Sequence, residues 1–233
     1  SHIEEFELLN EAAEKLLQSN TETYFSQKNF IQNASHELQT PLAISLNKLE
    51  LLAESQNLSD DQLSQIAGIM QHLERLTRLN KSLLLLSKIE NKQFAPEEKI
   101  NLNQLLKKLL EDFADQIEYK EISVELQETA TCEPTLNPDL ATILLGNLIK
   151  NAIVHNHSGG FFTIQVNYNS ISFENSGKDG ALDSKQLFTR FSKINPSPTS
   201  TGLGLAIVKA IADLYQFQVS YSYQQKHIFA IHF

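Results

Sequence analysis

The sequence predicts two domains of different class: an all-α helical hairpin that pairs with a second copy as a dimeric four-helix bundle, then an α+β sandwich. Three observations predict this. Through about residue 90 the 233-residue chain holds one proline, Pro41, and one glycine, Gly68, while apolar residues recur at three-four spacing. From Phe94 onward, prolines, glycines and period-two alternation interrupt shorter helical stretches. A lone hairpin leaves one apolar face wet, and a two-fold copy covers it.

The first helix is marked by Phe6, Leu9, Ala13 and Leu16, then by Leu42, Leu46, Leu49 and Leu52. A break follows at 54–58. Ser59 with Gln62 three residues on is a capping-box pattern that opens a second helix, whose stripe runs Ile66, Ile69, Leu73, Leu76, Leu79, Leu83, Leu86 to about Ile89. Residues 6–24 continue the first helix as a parallel coiled coil, weakened where Asn20 and Thr23 fall on its seam. The predicted division is 1–23 coiled-coil helix (with Ser1-His2 a remnant of a tag), 24–92 hairpin domain, 93–96 linker and 97–233 sandwich.

In the second part, 99–102 reads as a small strand and 103–120 as a helix facing inward through Leu106, Leu109, Leu110, Phe113 and Ile117. Residues 122–126 alternate as a strand. Asn137-Pro138 is an N-cap followed by proline at the first helical position, opening a helix to about Asn156. Strands are expected at 161–166 and 170–174, a polar connection at 176–202, a helix at 203–215, and a closing hairpin at 217–223 and 227–233. Mixed helices and antiparallel pairings point to a sandwich rather than a doubly wound sheet.

Charge and composition exclude several functions. The formal charge of -9, with 19 Lys+Arg against 28 Asp+Glu, lacks the field that attracts nucleic-acid phosphates or anionic lipid, and no basic patch offsets it. Cys132 is the single cysteine, so an internal disulfide and a cysteine-rich zinc cage are excluded. No apolar run approaches the ~18 residues of a membrane span.

The stretch Phe30-Ile31-Gln32-Asn33-Ala34-Ser35-His36-Glu37-Leu38-Gln39-Thr40-Pro41-Leu42 carries the most chemistry. Thr40 lies one turn from His36 on the same face. Pro41 cannot donate to the carbonyl of Glu37, and an interior proline costs about 3 kcal/mol. A neutral imidazole is nucleophilic near neutral pH, and Glu37 could take up its proton. On these residues alone, a solvated histidine on a kinked helix is an equal reading. Further on, Asn147 and Asn151 stand four apart on one helix face with His155 a turn beyond. Two carboxamides suit a hard Mg²⁺ that keeps waters and bridges phosphates, though on the bare spacing alone buried capping amides are the favoured reading. Phe173-Glu174-Asn175-Ser176-Gly177 ends a strand and reads equally as a plain turn. Thr201-Gly202-Leu203-Gly204-Leu205 precedes a helix, where glycines admit a phosphate to the amide donors.

Ser-His-Glu-Leu, one variable residue, then Thr-Pro-Leu at 35–42 closely resembles the phospho-acceptor box of sensor histidine kinases of two-component signalling, with Gln39 where a basic residue is common. The segment 147–152 resembles that family's N box, 173–177 its first glycine box, Leu187-Phe188-Thr189-Arg190-Phe191 its F box and 201–205 its second glycine box, all in family order. The resemblance covers about residues 24–233. It implies a dimerisation and histidine-phosphotransfer domain joined to an ATP-binding sandwich of the Bergerat type.

It further implies that ATP phosphorylates His36, that Glu37 is the acid/base and that Thr40 positions water for dephosphorylating a partner. Asn151 would be the Mg²⁺ ligand. Asn147, His155, Asn175, Gly177, Phe188, Arg190, Lys193, Thr201, Gly202, Leu203, Gly204 and Leu205 would surround the nucleotide. The implied partners are a second copy through the hairpin and a response-regulator receiver domain whose aspartate takes the phosphoryl group. No nucleic acid and no membrane contact by this fragment are expected, which makes it the cytoplasmic portion of a parent anchored in a bacterial cell membrane. Two departures stand out. Asn175 replaces the usual aspartate, which weakens the hydrogen bond to the adenine amino group about two-fold in energy, and the next glycine is displaced behind Asp179. They motivate an alternative, a degenerate kinase acting as a regulator-binding scaffold or phosphatase.

Overall fold

The structure, a computed structural model, describes residues 2–55, 58–94, 96–177, 180–192 and 201–233; at 2–13, 23–25 and 27–32 it describes the backbone alone. It divides into two compact units, 1–87 and 88–233.

The first unit is the helical hairpin. α1 (His2–Ala53) runs through Pro41 without a break. α2 (Asp60–Glu90) begins at the expected capping box: Ser59 N–H donates to Gln62 Oε1 at 2.9 Å, and Gln62 N–H to Ser59 Oγ at 3.3 Å. Asp60 and Asp61 in its first turn and Lys88 in its last complement the helix dipole. Ile66, Leu84 and Leu86 are buried, as are the polar Ser35 and Asn80. Of the predicted stripe, Ile69, Leu76 and Leu52 stay about half exposed while Leu42, Leu46 and Leu49 are half-buried, and Leu38, Ile44 and Leu51, which the spacing did not single out, are also at least half exposed. The proposed seam at 6–24 lies mostly outside the described side chains, although Leu16 and Leu17 are exposed.

The second unit starts in the last turn of α2. β1 (Glu98–Lys99) pairs antiparallel with β3 (Thr135–Leu136). The helix expected over 103–120 is two helices, α3 (Leu102–Asp112) and α4 (Ala114–Tyr119), because Phe113 ends the first and caps the second. Asn101 Oδ1 accepts from Gln104 N–H at 3.0 Å and starts α3. The large sheet has the order β2 (Ser123–Glu128), β4 (Phe161–Asn167), β5 (Ser170–Asn175), β7 (His227–His232), β6 (Gln218–Tyr223). β2 and β4 are parallel and the other pairs antiparallel.

α5 (Pro138–Val154) and α7 (Gly204–Leu214) cover the sheet with α3, and α6 (Ser184–Leu187) is a short turn. The core is the meeting of two periodicities. Leu140, Leu144, Leu145, Leu148 and Ile149 line one side of α5, and Phe162, Ile164, Val166, Ile171, Phe173, Phe229 and Ile231 alternate inward from the strands. α5 ends at Val154, two residues short of the expected Asn156, which is buried and bonds elsewhere. Cys132 is fully buried, and desolvation pushes its thiol up to about 11, so it is protonated and unreactive at neutral pH.

Candidate functional site

On the hairpin, His36, Glu37 and Thr40 are all exposed, and none of their side chains bonds to another. His36 and Thr40 share a face, whereas Glu37 lies about a quarter turn round the helix. The turn before His36 is pinned from within: Asn80 Nδ2 on α2 donates to the Ser35 carbonyl at 2.6 Å, with both residues buried. Asn80 was not foreseen. Its signal is a polar residue set among Leu76, Leu79 and Leu83 on an otherwise apolar stripe.

In the second unit, α5 carries the paired amides. Asn137 Oδ1 accepts from Leu140 N–H at 3.1 Å and Pro138 opens the helix, so the register of Asn147 and Asn151 is set two turns upstream. Both amides are half-buried. Asn147 Nδ2 donates to the Ile143 carbonyl at 2.8 Å, and a Cβ at Gly204 would stand 3.0 Å from Asn147 Oδ1. The fifth expected segment therefore lies directly against the second.

The far end of α5 is fastened by residues the sequence did not reveal. Lys120 Nζ donates to the carbonyls of Ile153 and Val154 at 2.8 Å and of Asn156 at 3.3 Å, placing a cation at the negative end of the helix. Asn156 Oδ1 accepts from Ser176 Oγ at 2.7 Å and its Nδ2 donates to the Phe161 carbonyl at 2.8 Å, and a bridge joins Asn156 to Gly177. The first glycine segment is thereby stitched to the helix of the amides. His155, the C-cap residue, is exposed beside this stitch. Lys120→Met removes one donor from three carbonyls and is expected to destabilise the second unit by about 2–3 kcal/mol, read as a lower urea midpoint at unchanged slope.

Asn175 ends β5 on its buried face, opposite His227 on β7, and its Oδ1 is buried without a hydrogen-bond partner. Gly177 permits the His227 ring to lie against the backbone, where a Cβ would overlap it. Tyr221 Oη accepts from Leu182 N–H at 3.1 Å and sits 2.9 Å from His227 Nδ1, tying the chain beyond the first glycine segment to the β6–β7 hairpin. Burial holds the Tyr221 hydroxyl above its ordinary value, so it stays protonated.

Around the connection, Leu187 is buried, Phe188 half-buried, and Phe191 exposed with a positive φ. Arg190 pairs with Glu90, both in the second unit. Lys193 and Asp179 lie outside the described residues. Gly202 has φ +71°, and a Cβ there would stand 2.9 Å from the Ser192 carbonyl oxygen, so residues 192 and 202 approach each other at a position suited to glycine. Leu203 is fully buried and Leu205 half-buried. Thr201 Oγ1 accepts a long bond from Leu203 N–H at 3.4 Å, and among the described residues no side chain caps α7, whose first amides could therefore receive an anion.

Two hard-oxygen amides, a glycine-walled helix N-terminus and an orphaned buried acceptor fit a nucleotide whose phosphates bring a cation with them. Among the described residues no group of three or more His, Cys, Asp or Glu could hold a metal ion by itself, so Mg²⁺ here would lean on Asn151, phosphate and water.

Such a sandwich, preceded by a hairpin with an exposed histidine one residue before Glu and five before Pro, defines a histidine phosphotransfer enzyme core. The chain belongs to the sensor histidine kinases, ATP-dependent protein-histidine kinases of two-component signalling. Residues 26–92 match the His Kinase A (phospho-acceptor) domain, and 137–233 match the histidine kinase-, DNA gyrase B- and HSP90-like ATPase domain. Among similar proteins is the heme sensor protein HssS of Staphylococcus aureus strain Newman, 34% identical over 210 residues, covering 86% of this chain and 45% of that protein. The chain thus spans less than half the length of the curated relatives it matches. Among solved structures, Acinetobacter baumannii histidine kinase AdeS superposes with TM-score 0.57 at 26% identity, over 84% of this chain and 95% of that one. Full-length ShkA, solved in complex with AMPPNP, shares the fold, with TM-score 0.69 at 19% identity over 86% of this chain and 44% of its own.

Proposed function

We propose that the chain is the catalytic core of a sensor histidine kinase that phosphorylates His36 from ATP and passes the phosphoryl group to an aspartate of a response regulator. The observation that carries the reading is the exposed His36 imidazole on a turn pinned by Asn80, in a chain whose second unit has a helix N-terminus without a side-chain cap beside the half-buried Asn147. The imidazole attacks the γ-phosphorus, the bond to the bridging β,γ oxygen breaks, ADP leaves, and Glu37 takes the imidazole proton. The α7 amides, Thr201 and the backbone at Gly202 and Gly204 hold phosphate oxygens, while Asn147 and His155 flank the nucleotide. Bound through Asn151, Mg²⁺ supplies charge neutralisation at the phosphate oxygens. Phe188 seats the connection, and Arg190, on release from its pair with Glu90, and Lys193 offer positive charge to the phosphates.

The domain boundaries at 24–92, 93–96 and 97–233 belong to this reading, as does bending of 93–96 so that the nucleotide can meet His36. Dimerisation through the hairpin is supported by the exposed Leu38, Ile44, Leu51, Ile69 and Leu76, which resemble a core with its other half removed. No helix among the described residues is long and apolar enough to cross a membrane; we place any anchor in the parent protein.

Incubation with γ-labelled ATP and Mg²⁺ tests the reading. Label should be lost in acid and kept in alkali, as a phosphoramidate behaves; an acid-stable hydroxyl ester contradicts it. Thr40→Ala should leave autophosphorylation intact while slowing dephosphorylation of the regulator about 10- to 100-fold, the scale of a lost water-positioning group. Equal decay in both proteins would leave Thr40 a purely helical role. A second reading, a regulator-binding scaffold or phosphatase with little autophosphorylation, is favoured by the uncharged Asn175, and near-absent labelling that rises sharply in Asn175→Asp would select it.

A further inference from the structure

Residues Ile171, Phe173 and Asn175 of β5 alternate onto the buried face of the sheet, and Asn175 is only 2% exposed. Its neighbours in register are Phe162 on β4 and His227 on β7. An amide there is out of keeping with the apolar row it ends, and its unpartnered Oδ1 leaves a desolvated acceptor unsatisfied. The nearby polar groups are committed: Asn156 to Ser176 and Phe161, His227 to Tyr221, Glu174 to Lys226. Among the described residues, therefore, no hydrogen bond to Oδ1 dictates which way the Asn175 amide faces.

A carboxamide presents a carbonyl acceptor and an N–H donor in nearly the same shape, and a half-turn about its last torsion exchanges them. A carboxylate in that place can only accept. Resting on the nucleotide site proposed above, we propose that Asn175 reads position 6 of the purine in either sense, accepting from the 6-amino group of adenine or donating to the 6-oxo group of hypoxanthine or guanine. The site then takes 6-oxopurine nucleotides alongside ATP and ADP. The half-turn breaks no existing bond of Oδ1, so neither sense is penalised by a lost partner.

Calorimetric titration of the wild-type chain with ADP and with IDP, which carries an oxygen at carbon 6 and a proton on N1, tests this. The wild type should bind the two within about five-fold, whereas Asn175→Asp, with only acceptors to offer, should prefer ADP by about 30-fold or more. The wild-type ratio decides by itself if the buried carboxylate prevents the variant from folding. A wild type that binds ADP but rejects IDP by 30-fold overturns the proposal and leaves the nucleotide site standing, as does a variant with the wild-type ratio. Failure to bind either nucleotide overturns the site and the proposal together.

Discussion

His36→Gln is expected to abolish phosphate incorporation, a fall of at least about a thousand-fold, because the nucleophile is gone and a carboxamide cannot replace it. The substitution should spare the fold. His36 is exposed and bonds to no other side chain among the described residues, so its loss is expected to stay within about 0.5 kcal/mol of neutral. The anchor beneath it, Asn80 to the Ser35 carbonyl, uses backbone on the α1 side and survives the change. Nucleotide binding should also persist, since the residues assigned to it belong to the second unit. Label incorporation, circular dichroism and ADP titration on one preparation separate these effects. Undiminished labelling would move the acceptor to another residue and remove the basis for the proposed activity.

Gly202→Val is expected to weaken nucleotide binding by at least about ten- to hundred-fold while leaving the sheet folded. At φ +71° a β-branched residue is strained by about 1–3 kcal/mol, and its Cβ would meet the Ser192 carbonyl oxygen at 2.9 Å. The cheapest relief is local: the segment moves away, carrying Thr201 and the first amides of α7 from the phosphate position. A loss of this size corresponds to about ten- to hundred-fold in ADP affinity from strain, with displaced amides adding to it. Gly202→Ala should fall between. ADP affinity equal to wild type in both variants would show that phosphate is held elsewhere.

What the sequence made legible was whatever depends on local periodicity or on a residue's own backbone. The hairpin, the break after Ala53, the capping box at Ser59, the start of α5 at Pro138 and the strands of the large sheet all followed from spacing. The division of 103–120 did not, because Phe113 keeps the apolar period across the joint between α3 and α4. β3 and α6, of two and four residues, are too short for a period to register. The site divides in the same way. Motif residues such as Gly202 and Gly204 were visible because glycine itself signals close approach. Their supports, Asn80, Lys120, Asn156 and Ser176, act on groups distant in the chain or on bare carbonyls, and a sequence carries no mark of such partners.

The unbroken run of α1 through Pro41 has a mechanical corollary. Among the residues of α1, only Pro41 lacks a backbone donor, and it lies beyond His36, so a rotation applied near Glu14 is expected to meet the histidine before the weakened turn. The carbonyl of Glu37 faces an imino acid with nothing to donate, and there the rod softens. A turn imposed from the amino-terminal side is therefore expected to change the histidine's azimuth more than it changes the base of the hairpin, which lies past the missing donor.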